Sequence, residues 1–346
     1  MSNTPDMVRS IGQVRRRPID LSAAHEVTAS PLVLEARIPL VIAPAHPGAP
    51  LAEWAAAHPG WTDRPLLDHG ALLFRGFGID GVDGFQRFVR AISSRLLEYT
   101  ERSTPRTAVR GDVYTSTEYP PHVEIVQHNE NSYASTWPLK LAFYCEEAAR
   151  TGGETPLADS AEVYRRIAER TREAFAAHGV MYVRNYGLGV DLTWQNAFQT
   201  TDPAAVEAHC DAASIAWEWL DGGRRLRTRQ VRPAVARHPS TGEWLWFNQA
   251  HLFHTSTLDR ATRDALHAAF AEEDLPRQSF LGDGRAIPES MLEEIRDAYR
   301  ECQCAFAWQS GDVLLLDNMK VSHGRRSFTG RRRVLVAMAD PWSQTA

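Results

Sequence analysis

WQSGDVLLLDNMKVSHGRRSFTGRRRVLVAMAD, residues 308–340, carries the pattern that decides the fold. Residues 312–316 and 334–338 are short apolar runs bounded by Gly, Asp, Asn and a charged cluster, and 305–308 just upstream is a third. Short, apolar and turn-bounded, they read as strands packed into a sandwich or barrel. Between them lie a turn at Asp317-Asn318, then His323, a glycine and a run of arginines.

Working outward, 124–127, 139–145 and 179–186 also read as strands, and LLDHGALLFRGF (66–77), closed by Gly76, reads as a buried one. Residues 231–238 and 244–248 suggest two strands around a turn at Ser240-Thr241-Gly242. Helical spacing or composition covers 82–97, 159–178, 202–219, 258–274 and 291–302, with Asp159 and Ser160 as N-cap of the second. Strands therefore stand on both sides of a long helical insert. A fold that sets its last strands beside its middle ones cannot be cut in two, so 32–346 is expected to be one domain. Residues 1–31, polar and without periodicity, are expected to be a loose arm. There is no internal repeat.

The 346 residues include 38 basic and 43 acidic side chains, a net charge of −5, which argues against a surface built to neutralise phosphates and hence against a nucleic-acid partner. Cys145, Cys210, Cys302 and Cys304 are too few and too scattered for a disulfide framework or a thiolate zinc site, which fits a reducing cytoplasm. No apolar run is long enough to span a bilayer, and Arg15-Arg16-Arg17-Pro18 is followed by no signal-peptide core, so no membrane association is expected.

Thirteen histidines among 43 acids in 346 positions should give about 1.6 His-x-acid matches by composition alone. Three occur: His122-Val-Glu124, His128-Asn-Glu130 and His209-Cys-Asp211. Residues i and i+2 share a face on extended backbone and point apart on a helix, which removes His209 in its helical stretch PAAVEAHCDAA. His122 and His128 both lie in strand-like sequence, and the local pattern does not choose between them. His323 offers a third ligand. Two histidines and a carboxylate on a β scaffold make the facial triad of non-haem Fe(II) oxygenases, and an acidic co-substrate would call for a nearby arginine, one of Arg331, Arg332 and Arg333.

Five segments, in this order and spacing, carry a resemblance: GALLFRGF (70–77), HNENSYASTWPLKLAFYC (128–145), GGETPLAD (152–159), WLWFNQ (244–249), and FAWQSGDVLLLDN followed by HGRRSFTGRRR (306–333). With them the chain resembles the Fe(II)- and 2-oxoglutarate-dependent dioxygenases of the taurine dioxygenase superfamily, in particular the branch of the syringomycin-cluster hydroxylase. The resemblance covers most of the chain after Leu66. It implies a mostly β fold, a double-stranded β-helix or jelly roll, with flanking helices and a helical insert between the metal-bearing strands. It selects His128 over His122, so that His128, Glu130 and His323 are the implied metal ligands. Thr155, 27 residues after His128, and Arg332 are implied to bind 2-oxoglutarate, with Arg333 a competitor because spacing in this loop varies. Glu130 stands where many members carry Asp, as in clavaminate-synthase-like members; related halogenases have a small residue there, so halogenation is not expected.

The implied cofactors are Fe(II), 2-oxoglutarate as co-substrate and O2. The implied reaction releases succinate and CO2 and hydroxylates an aliphatic carbon of an amino-acid-like small molecule, free or tethered to a carrier protein, in secondary-metabolite or antibiotic biosynthesis; desaturation or cyclisation is the alternative outcome. Asn131, Asn248 and Arg325 are candidates for the substrate side, although Asn131 and Arg325 could equally satisfy backbone carbonyls. Among Trp244, Trp246 and Phe247 two are expected in the core, and His251 and His254 are expected to be structural or exposed. A regulator that kept the fold without catalysis would more readily have lost a ligand or the arginines, and a zinc hydrolase has no use for the arginine and the Gly-Gly-Glu-Thr turn.

Overall fold

A computed structural model describes residues 26–33, 36–97, 103, 107–111, 113–116 and 119–343. Its strands are β1 (Val27–Val33), β2 (Ala36–Pro44), β3 (Ala71–Phe74), β4 (Ala108–Arg110), β5 (Val113–Thr115), β6 (Ile125–His128), β7 (Trp137–Glu147), β8 (Thr151–Gly152), β9 (Thr155–Asp159), β10 (Val180–Tyr186), β11 (Ala216–Leu220), β12 (Arg225–Arg232), β13 (Val235–Arg237), β14 (Trp244–Trp246), β15 (Arg277–Leu281), β16 (Cys304–Phe306), β17 (Val313–Asp317), β18 (Val321–Arg325), β19 (Phe328–Thr329) and β20 (Arg333–Trp342). One large sheet runs β1-β2-β3-β17-β7-β20-β5-β4, and a smaller one runs β16-β9-β18-β6.

The two sheets face each other, and side-chain alternation shows why the deciding strands are apolar throughout. Leu314 and Leu316 of β17, Leu141 and Phe143 of β7, and Val334, Val336 and Met338 of β20 pack inward with Leu157, Phe306 and Val321 of the smaller sheet. The intervening Val313, Leu315, Ala142, Tyr144, Leu335 and Ala337 point the other way, onto Leu51, Trp54, Phe85 and Phe88 of helices Leu51–Ala57 and Gly81–Ile92. A sheet covered on both faces has no polar face to show. The result is the expected jelly roll with flanking helices.

The insert between β9 and β16 carries strands as well as helices, as the strand-like stretches at 179–186, 231–238 and 244–248 imply. It holds an antiparallel sheet, β11-β12-β10-β15, and the β13-β14 hairpin. The stretch 202–219 is helical only over Pro203–Ala212. AWEWL beyond it alternates and forms β11, with Trp217 and Trp219 donating indole N–H bonds of 2.9 and 2.8 Å back to Asp211 and Glu207. Stretch 231–238 is split at Pro233, which cannot donate to a ladder, into β12 and β13. The helix over 159–178 breaks where Ile167 turns extended, giving Ser160–Arg166 and Glu169–His178; Asp159 caps the first as expected.

The stretch 66–77 begins with a helix, Asp63–His69, closed by Gly70 in the left-handed region at φ 72°, and only then becomes β3. A Cβ on Gly70 would lie 2.6 Å from Val321 Cγ2. Within the expected arm, 27–31 belong to β1, which pairs with β2; residues 1–25 lie outside the described residues. Tyr133 and Ala158 join Phe175, Tyr182, Trp246 and Leu292 in one apolar cluster, which fixes the insert against the jelly roll beside the 128–130 segment.

Candidate active site

β6 and β18 are antiparallel neighbours, and their register sets His128 directly opposite His323. The two imidazoles stand 4.6 Å apart between ring centres, and the ring of Phe143 packs 5.1 Å from His323. His128 Nδ1 donates a 2.9 Å bond to the carbonyl of Val126, which leaves Nε2 with its lone pair for a ligand. Glu130 lies two residues on, just past the strand end, and is 2% exposed. Ligand atoms of His128, Glu130 and His323 all lie within 4.8 Å of one another, and among the described residues no other three His, Cys, Asp or Glu side chains converge this way. Two imidazoles and one carboxylate converging on one point suit a divalent first-row metal with positions left open.

Asn318, in the turn between β17 and β18, holds Glu130 in place. Its Oδ1 accepts the Glu130 N–H at 2.7 Å, and its Nδ2 donates to the carbonyls of Glu130 and Pro138, both at 2.9 Å. The turn is itself pinned: Asp317 Oδ1 accepts the N–H groups of Met319 and Lys320, and Oδ2 accepts from His238 Nε2 at 2.9 Å. Gln249 Nε2 donates to the Asn129 carbonyl at 2.8 Å from the insert. In the sequence Asn318 is legible only as a turn residue and His238 only as the end of a strand-like stretch, because their partners lie far away along the chain.

A narrow chamber beside the two histidines is lined by Thr155, Trp308, Arg325, Arg332, Phe143 and Gly324, among others. Trp308 donates its indole N–H to Thr155 Oγ1 at 2.8 Å, which leaves the threonine's own O–H to donate elsewhere. Burial, reinforced by the nearby Arg325 charge, lowers the Arg332 pKa to about 10. Among the described residues no carboxylate pairs with Arg332, so an entering anion would relieve that cost. The double glycine before Thr155 is what lets this arrangement close. A Cβ on Gly152 would lie 2.2 Å from the Ser327 carbonyl oxygen, and one on Gly153 would lie 3.1 Å from Arg332 Cδ.

Of the remaining candidates, Arg333 is exposed and ion-paired with Glu146, which turns it away from the chamber. Asn248 is buried with both side-chain groups committed, Nδ2 to the Ala234 carbonyl and Oδ1 to the Ala250 N–H, so the structure gives it a structural place and does not bring it to the chamber. Arg325 does line the chamber, with Nη1 and Nη2 donating to the carbonyls of Tyr119, Pro120 and Val123 at 2.7–3.1 Å. Asn131 follows Glu130 with φ 56° and is buried, its Oδ1 without a hydrogen-bond partner among the described residues. His122 and Glu124 are exposed, and His209 is on a helix, as its sequence suggested. Trp246 and Phe247 are core and Trp244 is 44% exposed. His251 is buried and structural, bonded from Nε2 to the Gln127 carbonyl behind the His128 strand.

Comparison with known proteins agrees with this geometry. The family described as taurine catabolism dioxygenase TauD, TfdA family matches residues 36–338. The dapdiamide synthesis protein DdaC of Enterobacter agglomerans is 42% identical over 318 residues, 92% of this chain and 96% of that protein. A clavaminate synthase-like protein of Arabidopsis thaliana is 33% identical over 288 residues, 80% of this chain and 84% of that one. The structure of PvcB from Pseudomonas aeruginosa, an Fe, alpha-ketoglutarate dependent oxygenase from an isonitrile synthetic pathway, superposes with a TM-score of 0.52 at 18% identity, covering 94% of each chain.

Proposed function

The chain belongs to the TauD, TfdA family and is an Fe(II)- and 2-oxoglutarate-dependent dioxygenase, and from that premise we propose that His128, Glu130 and His323 hold its iron, Thr155 and Arg332 its co-substrate, and that it hydroxylates an aliphatic carbon of an amino-acid-like molecule. The observation that carries the residue assignment is the convergence of the three side chains beside a chamber holding Arg332, which has no carboxylate partner among the described residues, and the hydroxyl of Thr155. Iron bound with 2-oxoglutarate and O2 supplies oxidative decarboxylation to succinate and CO2, coupled to oxidation of a substrate C–H bond.

The chain's residues do the rest. His128 and His323 offer neutral nitrogens from adjacent rigid strands, and Asn318 fixes the backbone from which Glu130 reaches in. Arg332 meets the far carboxylate of the co-substrate in a water-poor setting where a charge-assisted bond is strong, and Thr155 adds an O–H bond oriented by Trp308. Phe143 and Val334 keep the chamber apolar around these groups.

The proposed place of the reaction is secondary metabolism, supported by the 42% identity to a protein named for dapdiamide synthesis. The proposed substrate is a free amino acid derivative or one tethered to a carrier protein, with Asn131 as its contact next to the iron. The test is succinate formation by the iron-loaded protein across a panel of amino acids, free and carrier-tethered. Stimulation by one or more members, with product heavier by one oxygen, is the expected result. Stimulation only by substrates without an amino-acid moiety would overturn the substrate class, and product lighter by two hydrogens would show desaturation or cyclisation instead.

A further inference from the structure

The chamber has a second side. An open groove of about 1000 Å³ on the surface shares Ser116, Arg325, Arg332 and Val334 with the chamber, so these four residues form the neck between the two. Tyr119, Pro120, Pro121 and Phe328 wall the groove, whose charged lining is four arginines, Arg325, Arg331, Arg332 and Arg333, against Glu146 and Glu147. Glu130 and Asn131 line neither cavity, so the groove reaches the metal-ligand histidines from the Thr155 and Arg332 side.

From this geometry we infer that the groove is a port through which 2-oxoglutarate enters and succinate leaves, separate from the side on which Asn131 faces the substrate. The inference rests on the assignment of Thr155 and Arg332 to 2-oxoglutarate. Four observations support it. The neck is built from one small side chain, one valine and two guanidiniums, a lining that suits a narrow dianion. Arg325 is an immobile part of the frame: three backbone carbonyls hold it and its guanidinium lies 5.0 Å from the ring centre of Phe328. Arg332 lies 5.7 Å from the same ring and has no carboxylate partner among the described residues, so it stands at the neck as a charge available to an anion that has entered the groove. Finally, a protein of net charge −5 repels a dianion at long range, so a locally basic groove is where association would be focused. A separate port lets co-substrate and by-product exchange while substrate or product is still bound.

A passage and a contact have different kinetic signatures. Narrowing a passage slows entry and exit by the same factor and leaves the equilibrium constant alone, whereas altering a contact changes the equilibrium constant. The experiment is anaerobic stopped-flow mixing of the Fe(II)-loaded protein with 2-oxoglutarate, following the visible charge-transfer absorbance of the chelate, for the parent, Ser116→Trp and Arg331→Glu. Ser116→Trp is expected to slow association and dissociation alike at an unchanged Kd. Arg331→Glu, at an exposed position, is expected to slow association about three- to tenfold at low salt, with the difference lost near about 0.5 M NaCl. Parent rates in both variants, or a Kd change in Ser116→Trp without matched rate changes, would overturn the port while leaving the co-substrate assignment standing. Absence of the absorbance in the parent would remove the assignment and the port together.

Discussion

Asn318 brackets the backbone of Glu130 from both sides, accepting its N–H at 2.7 Å and donating to its carbonyl at 2.9 Å across 188 positions of sequence. Both residues are buried, so neither group has water as a substitute. The carboxylate's position therefore depends on one amide side chain. Replacing Asn318 by Ala or by Asp, which keeps the acceptor but loses the donors to Glu130 and Pro138, is expected to weaken Fe(II) binding roughly 10- to 100-fold. Metal titration followed by circular dichroism checks that the variants are folded; parent affinity in a folded Asn318→Asp would contradict the bracket.

Trp308 and Thr155 form the second dependent pair. Trp308→Phe removes the donor to Thr155 Oγ1, at about 1 kcal/mol, or roughly a fivefold rise in the Kd for 2-oxoglutarate, with Fe(II) affinity unchanged. Thr155→Val should weaken the co-substrate at least as much, and Thr155→Ser should restore most of it. Equal affinities for 2-oxoglutarate in Thr155→Val and the parent would remove Thr155 from the site.

Adjacent arginines should behave differently. Arg332 lines the chamber and Arg333 is exposed against Glu146. Arg332→Gln is expected to lose about 2–3 kcal/mol of co-substrate binding, roughly 30- to 150-fold in Kd. Arg333→Gln should stay within about twofold of the parent, since exposed pairs contribute little. The reverse order in equilibrium binding would return the assignment to Arg333.

His251 makes stability depend on pH. Burial holds its pKa at about 3, against 6.5 for an exposed imidazole, so between those values the unfolded chain binds a proton that the native protein does not. Stability contributed by the neutral ring is present above the unfolded value and is lost as pH falls below it. Urea unfolding of the metal-free protein should show about 2 kcal/mol less stability at pH 5 than at pH 7 from this group. His251→Gln, which keeps a donor toward the Gln127 carbonyl, should flatten that difference; an unchanged pH slope would show that His251 is not its source.

The parts of this molecule legible in its sequence are those whose cause is local. β17 and β20 declare themselves because both faces are covered, whereas alternation alone leaves His122-Val-Glu124 and His128-Asn-Glu130 equal, and it takes the order of the surrounding segments to single out His128, whose strand ends before Glu130. Where two elements share one apolar stretch, as at 66–77 and 202–219, composition reads through a break that Gly70 or the alternation of AWEWL marks. That Arg332 lines the chamber while Arg333 pairs with Glu146 follows from the strand's facing, which a run of three adjacent arginines hides. Asn318, Trp308 and His238 were invisible for another reason: each acts on a partner at least 79 positions away, 188, 153 and 79 respectively, and an amide, an indole or an imidazole looks the same in sequence whether or not it has one. Asn248 shows the converse, a polar residue beside a strand end whose bonds are spent on its own neighbourhood.

The central claim is that His128, Glu130 and His323 hold iron on which 2-oxoglutarate chelates. Anaerobic titration of the protein with Fe(II) and then 2-oxoglutarate tests it, read as the visible metal-to-ligand charge-transfer band of a chelated 2-oxo acid. A saturable band in the parent that is lost in His323→Ala is the predicted result. Bound iron without a band, or a band of parent strength in His323→Ala, would contradict it.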